Sequence, residues 1–210
     1  DTLLKAMGRY ETYGSGKEIL ARVENARGCF HTLNADMIFN FPLQTSESLN
    51  RDIDILLDAG VDQITYYPLM VSDATREVVA RTFGAIDYRK EEKFYSLISQ
   101  RLSSFYQFSS AWCFSKSTSM VDEYIIDYDE YAGLGSGSIG FLGGKCYANT
   151  FNISDYIASL ANDEIPLMAM RTFNVGDQIR YDFLMKLFGM RLVTHSLREK
   201  YGMNAMRYWL

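Results

Sequence analysis

Four groups of residues in this chain have types and spacings that could do chemistry. Asp36 stands inside an otherwise apolar stretch, Asn34-Ala35-Asp36-Met37-Ile38-Phe39. A carboxylate there must find partners or lie at an open strand end, because burying an unpaired charge is costly. A hydroxyl- or cation-accepting role and a structural ion pair both meet that requirement. Arg9 closes the amphipathic turn Leu3-Leu4-Lys5-Ala6-Met7-Gly8. Its guanidinium suits bidentate capture of a carboxylate or phosphate, although a solvated arginine has the same spacing. The segment Gly133-Leu134-Gly135-Ser136-Gly137-Ser138-Ile139-Gly140 alternates glycines, which lets a flat ligand or a neighbouring strand approach the backbone. It meets the dinucleotide G-x-G-x-x-G spacing only loosely and lacks an evident strand-to-helix turn. In Asp122-Glu123-Tyr124-Ile125-Ile126-Asp127-Tyr128-Asp129-Glu130-Tyr131, alternation puts Tyr124, Ile126 and Tyr128 on one face. That pattern suits a half-exposed strand or a ligand-facing tyrosine edge.

Metal and nucleophile chemistry is harder to write. Cys29, Cys113 and Cys146 are far apart, with no pair at C-x-x-C spacing, so neither a zinc knuckle nor a local iron–sulfur ligand set is encoded and no metal ligand is assigned. They read as buried or half-buried free thiols, in keeping with a cytoplasmic location. The two histidines, His31 and His195, lie in no nucleophile-type motif.

Composition narrows the field further. With 210 residues, 48% of them hydrophobic, and 15 Tyr and 13 Phe, the chain can bury a core and is not a disordered solvating segment. A net charge of −5 argues against a nucleic-acid partner. The apolar runs fall short of the roughly 18–20 residues needed for a membrane span.

These residues need elements to hold them. Asp1 is placed like an N-cap for a turn carrying Leu3, Leu4 and Met7. Residues 16–27 carry Ile19, Leu20, Val23 and Ala26 at helical spacing, with Gly28 as a stop. Leu33 to Phe41 reads as extended, Ser46 to Ala59 as a helix with Leu49, Ile53, Leu56 and Leu57 inward, and Gln63 to Met70 as a strand. Helix, strand, helix, strand is the rhythm of parallel βα units, whose chemistry lies at the carboxyl ends of the strands. A long helix is predicted over 88–108, with Phe94, Leu97, Ile98, Leu102 and Phe105 as its apolar face. Strands and turns follow over 111–151, then helices from an N-cap at Ser154 to the end. The expected division is residues 1–85 and 86–210. The apolar ending, through Met203, Met206, Trp209 and Leu210, suggests a piece of a longer protein.

Four stretches together resemble the radical S-adenosylmethionine enzymes related to oxygen-independent coproporphyrinogen III oxidase. They are Leu-Leu-Lys-Ala-Met-Gly-Arg at 3–9, Asn-Ala-Asp-Met-Ile-Phe-Asn-Phe-Pro-Leu-Gln-Thr at 34–45, Asp-Gln-Ile-Thr-Tyr-Tyr-Pro-Leu at 62–69 and Tyr-Ala-Gly-Leu-Gly-Ser-Gly-Ser at 131–138. The resemblance implies an α/β fold: the closing βα units of a partial (β/α) radical-SAM barrel over 1–85, then a mixed α+β C-terminal domain over 86–210. It implies that Arg9 holds the methionyl carboxylate of S-adenosylmethionine and that Asp36 bonds the ribose. Met70 falls where backbone meets the adenine, and Ile139 where an apolar side chain covers it.

The family's C-x-x-x-C-x-x-C motif, which holds a [4Fe-4S] cluster, is absent from this sequence. The resemblance places it, with a Gly-Gly-Thr segment, upstream of Asp1, so this polypeptide by itself is expected to be inactive. The implied parent is an oxidoreductase that decarboxylates the propionates of a porphyrinogen and needs a tetrapyrrole substrate and an electron donor. The alternative is a haem-binding or trafficking protein of the same fold. Haem chaperones of this group show His-Asn-x-x-Tyr-Trp before the glycine segment, where this chain reads Asp127-Tyr128-Asp129-Glu130-Tyr131.

Overall fold

The computed structural model describes residues 1–73, 75–117 and 128–202. The chain divides into two compact units, Asp1–Met120 and Val121–Leu210.

In the first unit three helices precede the sheet: α1 (Thr2–Ala6), α2 (Tyr10–Tyr13) and α3 (Gly16–Ala26). Asp1 occupies the N-cap position of α1 without capping it; its Oδ1 instead accepts from Gly16 N at 2.8 Å. Ser15 and Glu18 form a reciprocal capping box that starts α3. Strand β1 (Asn34–Phe39), helix α4 (Ser46–Ala59) and strand β2 (Gln63–Pro68) then make one βα unit, with β1 and β2 parallel. Thr45 and Ser48 box the start of α4, and Gly60 ends it in the left-handed region at φ 64°, which glycine adopts without strain.

Helices α5 (Arg76–Phe83) and α6 (Arg89–Leu102) lead into the short strands β3 (Gln107–Phe108) and β4 (Cys113–Ser115). The sheet order is β1-β2-β4-β3, with β4 antiparallel to β2 and β3. One sheet face carries Ala35, Met37 and Phe39, Ile64 and Tyr66, and Phe114. It packs with Leu49 and Ile53 of α4 and with Phe94, Ile98 and Leu102 of α6 into a single core. Arg101 ties the two helices, donating to Asn50 Oδ1 at 2.5 Å and pairing with Asp54.

Two sequence expectations change here. The helix expected over 88–108 stops at Leu102, because the buried Tyr106 reaches back to donate to Val61 O at 2.8 Å and residues 107–108 join the sheet. Phe105 is accordingly 63% exposed instead of lining a helix face. The compact units also divide the chain later than residue 85, since α6 packs on α4 and β4 pairs with β2.

The second unit holds β5 (Ile139–Leu142), β6 (Lys145–Asn149), α7 (Ile153–Ala161), β7 (Leu167–Thr172), α8 (Val175–Phe188) and α9 (Thr194–Tyr201). Its sheet runs β5-β6-β7, all antiparallel. Helix α7 is capped by Asn152, whose Oδ1 accepts from Ser154 N and Asp155 N, and not by Ser154. Strand β7 replaces part of an expected helical stretch: Leu-Met-Ala-Met has helix-forming composition, but pairing with β6 overrides it. Phe141, Phe173 and Tyr181 cluster over this sheet, with Phe141 and Tyr181 stacked at 4.7 Å. Among the described residues no helix is long and apolar enough to cross a membrane.

Candidate functional site

The sheet face opposite the core of the first unit is polar. Strand alternation places Asn34, Asp36 and Ile38 of β1 there, beside Gln63, Thr65 and Tyr67 of β2 and Cys113 and Ser115 of β4. Asp36 is exposed, so the strand accommodates its charge by keeping it in solvent and not by a buried ion pair. Asn34 Nδ2 donates to Asp36 Oδ1 at 2.8 Å, and Thr65 Oγ1 donates to Asn34 Oδ1 at 3.3 Å. Next along the face, Ser115 Oγ donates to Gln63 Oε1 at 3.0 Å, and Ser109 Oγ donates to Ser115 Oγ at 2.6 Å. Toward the carboxyl end of the parallel pair the face becomes apolar. Ile38 lies opposite Tyr67, whose ring meets Trp112 edge-on at 5.6 Å.

The loops beyond these strands complete the edge. Leu69 N donates to Phe39 O at 2.9 Å, linking the carboxyl ends of β1 and β2, and Met70 follows with 67% exposure. After β1 the backbone turns at Asn40, a left-handed residue at φ 69°, held by donation from Asn40 N to Gln44 Oε1 at 2.8 Å. Tyr66 points to the core face. Burial, and then the charge of Asp52, push its phenol far above the ordinary range, so it stays protonated.

Arg9 is exposed between α1 and α2, and its guanidinium has no hydrogen-bond or ion-pair partner among the described residues. No hydrogen bond or ion pair joins it to Asp36 or Met70. Ile139 opens β5 in the second unit and is 50% exposed.

The glycine segment serves packing. Gly133 N donates to Tyr147 Oη and Gly135 N to Tyr156 Oη, both at 3.0 Å, while Gly137 N donates to Thr150 O at 2.8 Å. Asn149 Nδ2 donates to the Gly133 and Gly135 carbonyls. Those amides are engaged within the protein, and a Cβ at Gly140 would fall 2.2 Å from the Tyr147 ring. Of the acidic, tyrosine-rich run, residues 122–127 lie outside the described residues. Tyr131 Oη meets Tyr181 Oη at 2.6 Å, so this tyrosine faces the packed interior of its unit.

Among the described residues no group of three His, Cys, Asp or Glu could hold a metal ion. Cys113 is buried, Cys146 half-buried and Cys29 exposed, the last contrary to expectation because it sits in the turn after α3. A [4Fe-4S] cluster therefore does not fit the residues described. S-adenosylmethionine fits them better. A guanidinium without a partner among the described residues suits its carboxylate, and an exposed carboxylate its ribose hydroxyls. Sequence reasoning did not single out Asn34, Thr65 or Trp112, which the strand register and the Tyr67–Trp112 ring contact bring to this face.

The structure matches that of coproporphyrinogen III oxidase (HemN) from Escherichia coli, a radical SAM enzyme. The TM-score is 0.74 over 98% of this chain and 51% of that one, at 16% identity. The two share a fold over nearly the whole of this chain. Curated relatives that match in sequence are named heme chaperone HemW. The protein from Bacillus subtilis is 24% identical over 96% of this chain and 55% of its own length. That from Mycobacterium tuberculosis is 25% identical over 83% and 46%, and that from Lactococcus lactis 25% over 78% and 44%. This chain thus spans about half the length of the curated relatives it matches. No family model matches it. Within the HemN-like fold, β1, α4 and β2 form the parallel βα unit expected from the sequence.

Proposed function

We propose that this chain supplies the ribose- and carboxylate-binding part of a tetrapyrrole-handling radical SAM protein. The observation that carries the reading is Asp36, an exposed carboxylate on the polar face of a parallel βα unit with one oxygen already held by Asn34. Asp36 accepts from the ribose hydroxyls, Arg9 pairs with the methionyl carboxylate, and the Met70 backbone meets the adenine. S-adenosylmethionine, once bound, supplies the means to abstract hydrogen from a substrate carbon. The chain's residues bind and orient the cofactor.

Two activities suit this site. The fold likeness to coproporphyrinogen III oxidase supports oxidative decarboxylation of a porphyrinogen as one reading. Haem carriage is favoured by the curated relatives, which are named heme chaperones. The deciding experiment uses the full-length natural polypeptide, reconstituted with iron and sulfide and reduced in the presence of S-adenosylmethionine. Formation of 5′-deoxyadenosine together with porphyrinogen turnover supports the oxidase. Stoichiometric haem binding without porphyrinogen turnover supports the carrier. Failure to bind either S-adenosylmethionine or haem removes both.

A further inference from the structure

We infer that Asn34 is a positioning residue for Asp36, and that Thr65 in turn fixes Asn34; the inference rests on the reading of Asp36 as a ribose acceptor. A carboxylate accepts but cannot donate, so the Asn34 amide must present its NH2 to Asp36 Oδ1, at 2.8 Å. That leaves Asn34 Oδ1 facing the Thr65 hydroxyl, which lies within donating distance of it at 3.3 Å and of the Cys113 sulfur, a weaker acceptor, at 3.7 Å. Thr65 is fully buried and lies opposite Asp36 in the strand register, so it is a rigid anchor beside a solvent-exposed acceptor. An exposed aspartate on a strand ordinarily samples several rotamers. Here one oxygen is tethered and Oδ2 is left to the ligand. A vicinal diol then meets an acceptor already oriented, and the ordering cost of binding falls.

The class of ligand that benefits is a ribonucleoside with both hydroxyls free. The test compares S-adenosylhomocysteine with its 2′-deoxyribose counterpart by calorimetry on the full-length natural polypeptide. The wild type is expected to prefer the ribose form by about tenfold, the scale of one charge-assisted hydrogen bond. Asn34→Leu and Thr65→Val are expected to cut that preference to below about threefold, and Thr65→Ser to restore it. An undiminished preference in Asn34→Leu, with Asp36→Ala abolishing it, overturns the positioning role and leaves the ribose site standing. A preference that survives Asp36→Ala overturns both. Should Asn34→Leu fail to fold, the Thr65→Val and Thr65→Ser pair decides: equal preferences overturn the inference, and loss with rescue supports it.

Discussion

Thr65 lies directly opposite Asp36 in the parallel register of β1 and β2, one residue fully buried and the other exposed. The pair marks where the first unit's interior gives way to solvent. Because Asp36 contributes little burial, Asp36→Ala is expected to leave the melting temperature within about 2 °C of wild type. Differential scanning calorimetry checks this, and a drop of several times that size would give Asp36 a structural role.

The core beneath the other sheet face behaves differently. Ile53 has no solvent exposure and packs with Leu49, Phe94 and Ile98. Ile53→Ala should cost about 2–5 kcal/mol, through lost transfer energy and the cavity left behind. Chemical denaturation should show a lower midpoint with an unchanged slope.

Gly140 lies beneath Tyr147, where an added Cβ would come within 2.2 Å of the ring. Displacing that ring would also break the bond from Gly133 N to Tyr147 Oη. Gly140→Ala is expected to destabilise by about 1–3 kcal/mol, measured by urea unfolding. A neutral result would contradict a packing role for the glycine segment.

Asp182 Oδ2 accepts from Lys200 Nζ at 2.7 Å and from Tyr201 Oη at 2.6 Å, joining α9 to α8. Burial opposes the Lys200 charge, but hydrogen bonds to Asp182 and Asp129 outweigh it and raise its pKa. Burial, then the bond to Asp182, pushes Tyr201 up to about 12. Both groups hold protons more tightly folded than unfolded. Their stabilisation is therefore fully present below about pH 10 and is lost as pH rises toward 12. Urea midpoints should fall across that window, and less steeply in Tyr201→Phe; a flat wild-type profile would contradict the linkage.

Much of the first unit was legible from local signals. The stripe Leu49, Ile53, Leu56 and the stop at Gly60 mark α4, and the β-branched and aromatic run marks β2. Tertiary pairing set what those signals could not. Residues 107–108 and 167–172 become strands because partners exist for them, against a helical continuation in one case and a helix-forming composition in the other. The site followed the same division. Asp36 stood out as a charge in an apolar run, whereas Asn34 and Thr65 look ordinary until the register brings them into one chain of hydrogen bonds. Arg9 drew attention as a guanidinium closing an amphipathic turn and Ile139 through resemblance, and their placement in cofactor binding is a proposal.

The most direct measurement is calorimetric titration of S-adenosylmethionine into the full-length natural polypeptide and its Asp36→Ala and Arg9→Leu variants. The account predicts saturable binding by the wild type, weakened about tenfold or more in each variant while melting is retained. No binding by the wild type, or unchanged affinity in both variants, would contradict it.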